Sequence, residues 1–299
     1  MNAVASPVLP PVERLDDPSY WHEWLRGLGI GATHVYPADP AGPPPADAPG
    51  LRAEVLRHGY HIGAGGLPYV SALARGVAAL TRAGHHPNWV LLTDEAWLLT
   101  RALRPLLRAA FPELRLLSDH YVFFVDPGDP AHQRGWPPHR DRDDMGFIGP
   151  ERAPQSLTVW IALTDATTAN GCMCLLPASD DPLYFTDSDS DALADPQSAL
   201  AVPVPAGTPI FWSGRVLHWG GRAAPIGPPA PPRLSFAFAA AAPDYETGDI
   251  EIDAAIELPA LTQRVDVVLS QIDHYSHRIP EFAAFVALRQ AFRARRAAI

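Results

Sequence analysis

"LRLLSDHYVFFV", residues 114–125, is where the chain changes period. Upstream of it, "LRAEVLRHGYH" (51–61), "LPYVSALARGVAALTRAG" (67–84) and "TDEAWLLTRALRPLLRAAF" (93–111) repeat apolar residues near i, i+3, i+4 and i+7, which predicts three helices, the last capped by Thr93 or Asp94. Downstream, short β-rich runs separated by Pro, Gly, Asp and Asn take over: "SLTVWIALT" (156–164), "CMCLLP" (172–177), "LAVPV" (200–204), "TPIFW" (208–212), "VLHW" (216–219) and "RLSFAFAA" (233–240). Seven short strands with turn signals between them suggest a sandwich or jelly-roll barrel. After Asp253 the helical period returns in 258–276 and 280–297.

Ahead of the first long helix, "PSYWHEWLRGL" (18–28) reads as a short amphipathic helix, and "YPADPAGPPPADAPG" (36–50) as a proline-rich linker outside regular structure. The expected organisation is an N-terminal helix and arm (1–50), a β domain with its helical jacket (51–256), and C-terminal helices packed on the same domain (257–299). "TDSDSDALADPQ" (186–197) and "APIGPPAPP" (224–232) read as surface loops, the second unable to continue a ladder.

Composition sets the class. Of the 299 residues, 47% are hydrophobic and 19% charged, as in a folded globule. A net charge of −10 argues against a nucleic-acid or anionic-membrane surface, and the basic run at 289–296 reads as a solvated helix face. All 23 basic residues are arginine, which excludes Schiff-base, pyridoxal-phosphate and P-loop chemistry, each dependent on a lysine. The beginning of the sequence shows no signal-peptide pattern and no window supplies a membrane span, so a cytoplasmic protein is expected. Cys172 and Cys174, one residue apart, read as reduced thiols in a core strand.

The densest charge lies in "HRDRDD" (139–144). An EF-hand fails there, because Met145 and Arg152 stand where that loop needs an oxygen ligand and a bidentate Glu. On a strand, His139 and Asp141 would share a face, offering a metal one nitrogen and one oxygen. His218, on a late strand beside Gly220 and Gly221, is the best third ligand; His85, His86, His120, His132, His274 and His277 are worse placed. Two histidines and a carboxylate with open positions opposite suit a non-haem Fe(II) site.

These residues, with "VWIALTDATTANGCMCLLPASD" (159–180), "VPAGTPIFWSGRVLHWGG" (204–221) and Arg233, resemble the Fe(II)/2-oxoglutarate-dependent oxygenases, specifically the phytanoyl-CoA dioxygenase-like group, over roughly residues 50–240. The resemblance implies a mixed α and β fold with a double-stranded β-helix (jelly-roll) core and flanking helices. It also implies Fe(II), 2-oxoglutarate and O2 as cofactor and co-substrates, with hydroxylation of a small molecule and release of succinate and CO2. Alternation puts Arg233, Ser235 and Ala237 on one face and Leu234, Phe236 and Phe238 on the other, so Arg233 and Ser235 suit the distal carboxylate of 2-oxoglutarate. Arg222 competes for that role. The Arg233 spacing from His218 is longer than usual for the family, with the proline-rich loop between them.

By the same alternation Trp160 faces the cavity with Thr158 and Ser156, and the resemblance places it near the co-substrate; Tyr121 could meet the inner carboxylate, and core packing is the alternative for both. Arg134, Arg140, Arg142 and Arg222 are the candidate contacts to an anionic substrate, although most of the hexapeptide's charge reads as a solvated rim. The alternative function is a metal-binding, cupin-like jelly roll that binds a small molecule without oxidising it.

Overall fold

Each of the seven period-2 runs forms a strand in the computed structural model, which describes residues 7–31, 42–129, 132–133, 135–141, 146–186, 188, 190, 196–223, 230–243, 258–276 and 282–298. Numbered in chain order, the strands are β1 (Tyr60–Ile62), β2 (Arg115–Val125), β3 (Phe147–Ile148), β4 (Ala153–Pro154), β5 (Ser156–Ala162), β6 (Met173–Leu175), β7 (Leu200–Val202), β8 (Pro209–Ser213), β9 (His218–Gly220) and β10 (Arg233–Ala241). The α-helices are α1 (Pro18–Trp21), α2 (Ala48–His58), α3 (Val70–Arg82), α4 (Asp94–Ala110), α5 (Leu261–His274) and α6 (Ala283–Ala297). The fold is therefore mixed α and β, and the strand pairs are antiparallel.

One sheet has five strands in the order β1-β8-β5-β10-β2, a second has three in the order β7-β6-β9, and β3 pairs with β4. Alternation along the large sheet separates two apolar layers. Leu157, Val159, Ile161, Phe211, Leu234, Phe236 and Phe238 pack with the helices, while Trp160, Ala162, Ile210, Trp212 and Ala237 pack with Met173, Leu175 and Val202 of the smaller sheet. Burying one such aromatic or aliphatic side chain contributes about 1.5–3 kcal/mol, so β5, β8 and β10 are held in register from both faces.

Four expectations change on contact with the structure. The first helix ends at Trp21 rather than continuing to residue 28. Nor does the described N-terminal segment stand off as an arm: Leu15, Trp21, Leu25, Leu28 and Ile30 are buried in the helical core, and the Gly29 amide donates to the Glu95 carboxylate. Pro45–Asp47 forms a 3-10 turn and Pro49 lies in the first turn of α2, so the proline-rich stretch is regular from residue 45 onward, proline being tolerated where the amide has no intrahelical partner; residues 36–41 lie outside the described ones. Finally, the helix predicted over 51–61 stops at His58, because Gly59 turns left-handed (φ 81°) and the chain enters β1. Thr93 is the residue capping α4, by position and without a side-chain hydrogen bond to the helix.

No helix among the described residues is long and apolar enough to cross a membrane.

Candidate metal and co-substrate site

His139, Asp141 and His218 come together, each offering one ligand atom within 4.8 Å of the others. Asp141 Oδ1 lies 3.7 Å from His139 Nε2 and 3.5 Å from His218 Nε2. The expected strand under the first two residues is absent. His139 instead makes a single antiparallel bridge to His218, each amide donating to the other's carbonyl at 3.0 Å. That bridge ties the ligand segment to the start of β9, and the Gly220 amide donating to the Trp136 carbonyl (3.2 Å) and the Ala223 amide to the Gln133 carbonyl (3.0 Å) continue the contact without forming a ladder.

Surrounding atoms orient all three groups. His139 Nδ1 is 2.8 Å from the Pro137 carbonyl and His218 Nδ1 is 3.0 Å from that of Val216, contacts that put the N–H on Nδ1 and leave Nε2 as the ligand atom. Thr158 Oγ1 (2.6 Å) and Trp212 Nε1 (2.9 Å) both donate to Asp141 Oδ2, leaving Oδ1 toward the histidines. Burial pushes His218 down to about 4, opposed by the Asp141 charge. Burial pushes Asp141 upward, but His218, His139 and the two donors outweigh it and hold its carboxyl below the usual range. A neutral His218 imidazole and an ionised Asp141 carboxylate are the protonation states a divalent cation requires of such ligands. The donor set fits iron(II).

The triad opens into a cavity of about 260 Å³. Arg233, at the start of β10, lines it with 1% of its surface exposed. Burial lowers its guanidinium to about 10, still a cation at neutral pH. Among the described residues no carboxylate pairs with it; Nη1 sits 3.7 Å from Met173 Sδ, Nε has no hydrogen-bond partner, and the group lies 5.6 Å from the Trp160 ring. A buried, unpaired guanidinium in a cavity is costly unless an anion arrives, and a dicarboxylate fits. Space for it depends on two glycines: a Cβ on Gly220 would meet Gly135 Cα at 2.6 Å and Arg233 Nη2 at 3.2 Å.

Trp160, Thr158, Ser156 and Tyr121 line the same cavity, and burial pushes the Tyr121 phenol above its ordinary range. Ser235 is fully buried with an unpartnered hydroxyl, yet it is not part of the cavity wall. Arg222 is exposed and outside the cavity lining, unlike Arg233. Arg140 is not on a solvated rim: its side chain is 1% exposed and forks onto Asp181. Arg134, Arg142, Asp143 and Asp144 lie outside the described residues. Cys172 and Cys174 are free thiols, the first buried and the second half-buried.

Sequence reasoning missed the far wall. Ser270, Gln271 and His274 of α5, with Tyr275 after it, line the cavity, and Tyr275 packs edge-on to Trp136 at 4.2 Å. His274, set aside as part of a C-terminal helix, is therefore at the cavity after all. Trp212 and Thr158 as partners of Asp141 were missed as well, although alternation on β5 put Thr158 on the correct face.

The profile of the family described as Phytanoyl-CoA dioxygenase (PhyH) matches residues 70–224. Solved structures similar to the chain include the non-heme monooxygenase ThoJ in a nickel complex (TM-score 0.53, 17% identity, 78% of this chain and 100% of that one). Others are the epimerase SnoN in complex with Fe3+, alpha ketoglutarate and nogalamycin RO (0.50, 21%, 66% and 84%) and AviO1 from Streptomyces viridochromogenes Tue57 (0.50, 21%, 67% and 97%). At these identities the likeness is one of fold. No curated protein matches the sequence. The family match spans just over half of the chain, including the two histidines and the aspartate brought together above: the chain belongs to the phytanoyl-CoA dioxygenase family, Fe(II)- and 2-oxoglutarate-dependent oxygenases.

Proposed function

We propose that this enzyme hydroxylates a C–H bond of a small molecule, with iron(II) held by His139, Asp141 and His218 and 2-oxoglutarate anchored by Arg233. One observation carries the reading: the three ligand atoms and an unpaired, buried guanidinium open into the same cavity. When bound, iron, 2-oxoglutarate and O2 together supply an oxidative decarboxylation that gives succinate and CO2 and places one oxygen atom on the substrate. The chain's own part is to keep the His218 imidazole neutral, hold Asp141 by one oxygen, and enclose the reacting groups between the sheets and α5.

The five-stranded and three-stranded antiparallel sheets, facing one another across Trp160, Trp212 and Met173, support a double-stranded β-helix core. We assign that core with its helical jacket to 51–256, with the described residues of 1–50 and 257–299 packed on it. A cytoplasmic setting suits its two free thiols.

For the substrate, the cavity's aromatic lining supports a ring-bearing molecule; Arg134 and Arg142, two of the arginines expected to meet an anion, lie outside the described residues. Among the described residues the cavity's guanidiniums are Arg140, paired with Asp181, and Arg233, assigned to the co-substrate. Phe123, Trp136 and Tyr275 offer ring faces, and Gln271 and His274 offer polar groups beside them.

The test is succinate formation by anaerobically iron-loaded protein exposed to air with 2-oxoglutarate. Turnover is expected for the parent and loss of it in His139→Ala, Asp141→Ala and His218→Ala, each still folded. A folded parent that binds metal but makes no succinate would instead favour the cupin-like binding protein.

A further inference from the structure

Between two metal ligands the chain places Arg140, and three residues before the third it places Arg215, which is 1% exposed. Arg140 turns toward Asp181: Nη1 and Nη2 donate to the two carboxylate oxygens at 2.7 and 3.2 Å. Nη1 also donates to the Arg215 carbonyl at 2.5 Å, and Nε to the Ser190 carbonyl at 3.3 Å. Arg215 in turn shares Nη2 among the carbonyls of Leu183 (3.1 Å), Thr186 (3.0 Å) and Ser188 (2.8 Å). Asp181 Oδ1 accepts the Leu183 amide as well, at 2.9 Å.

The two arginines therefore grip one turn of chain, and they lie on the two segments that carry the ligands. On the backbone these segments are joined by the His139–His218 bridge and, further along, by the Gly220 amide on the Trp136 carbonyl and the Ala223 amide on the Gln133 carbonyl, all on the side of His139 away from Asp141 or at His139 itself. A bidentate, desolvated fork is directional as well as strong, and it fixes the backbone of the residue that separates the His139 and Asp141 side chains.

We infer that Arg140 and Asp181 are positioning residues for the metal site, setting the angle between His139 and Asp141 through the turn that Arg215 clamps. This rests on the metal reading proposed above. Groups that orient metal ligands from behind typically change affinity by about 10- to 100-fold when lost, whereas a pair that only stabilises the fold leaves a bound metal's spectrum unchanged.

Anaerobic titration with Co(II), read by its visible d–d absorption, separates these roles in the parent, Asp181→Asn, Arg140→Lys, His218→Ala and Asp94→Asn. Lysine keeps the charge near Asp181 but cannot fork onto its two oxygens, so Arg140→Lys leaves no buried carboxylate uncompensated and decides the matter if Asp181→Asn does not fold. Asp94→Asn breaks a different buried pair, Arg264–Asp94, away from the ligands. Expected are a Co(II) Kd raised at least about tenfold and an altered band in both turn variants, with parent values in Asp94→Asn. Parent affinity and band in folded Arg140→Lys and Asp181→Asn would overturn the inference, as would an equal shift in Asp94→Asn. A parent that binds no Co(II), or a His218→Ala that binds it normally, overturns the metal reading itself and is recognisable as such.

Discussion

Arg233 is a cation with nothing to neutralise it among the described residues, and its replacement separates co-substrate binding from metal binding. A charge-assisted fork contributes about 1.5–3 kcal/mol, so Arg233→Ala should raise the 2-oxoglutarate concentration needed for half-maximal succinate formation at least about tenfold. Iron affinity should hardly change, and Arg222→Ala, at an exposed position outside the cavity lining, should do much less. The cysteines are the contrasting case at this scale. Burial raises both thiols, Cys174 up to about 11, so neither offers a thiolate at neutral pH. A Cys172→Ser, Cys174→Ser double variant should bind iron with parent stoichiometry, as measured by metal analysis of the folded protein. Arg233 was legible in the sequence because small and polar residues alternate with Leu234, Phe236 and Phe238. Arg140 was not: alternation reports which way a side chain points, not that Asp181 waits there far along the chain.

Among the elements, β9 carries the tightest tolerance. Gly220 donates its amide to the Trp136 carbonyl and has Gly135 directly behind it, so a methyl group has no room. Gly220→Ala should push the ligand segment and Arg233 apart together, and calorimetric titration should show both Co(II) and 2-oxoglutarate binding weakened. Gly50 is the control, being inside α2 with open space where a Cβ would go. There alanine should stabilise by about 0.5–1 kcal/mol, seen as a higher thermal midpoint, because the unfolded chain loses freedom and the helix loses nothing. Four strands of the large sheet, β2, β5, β8 and β10, could be read from composition because both their faces are largely apolar. β1 was hidden behind a helical pattern, its only signal being Gly59, and the HxD segment was read as a strand because spacing cannot tell a ladder from a lone bridge.

At the scale of the whole molecule, the helical layer joins distant parts of the chain to the site. Arg264 of α5 donates to Asp94 at the start of α4 (2.5 Å) and to the Leu92 carbonyl (2.9 Å), both side chains fully buried. Neutralising one partner of such a pair costs about 3–5 kcal/mol, so Asp94→Asn should lower unfolding free energy by that order in a denaturant titration. Because α5 supplies Gln271 and His274 to the cavity, the same variant should also weaken substrate binding while leaving the metal in place. An amphipathic stripe announces that α5 is half-buried, but the partner of its other residues is set by tertiary packing, which is why the far wall was invisible from sequence.

The reciprocal bridge between His139 and His218 also has a dynamic reading. Two amide protons, each bonded to the other residue's carbonyl, are both released when the ligand segment separates from β9, so matched protection of the two reports that one event. In hydrogen–deuterium exchange without metal, peptides containing these two amides should take up deuterium at matching rates, faster than those of β10 in the sheet interior. Metal should slow both by the same factor, and a metal that slowed only one would mean that the two segments open independently.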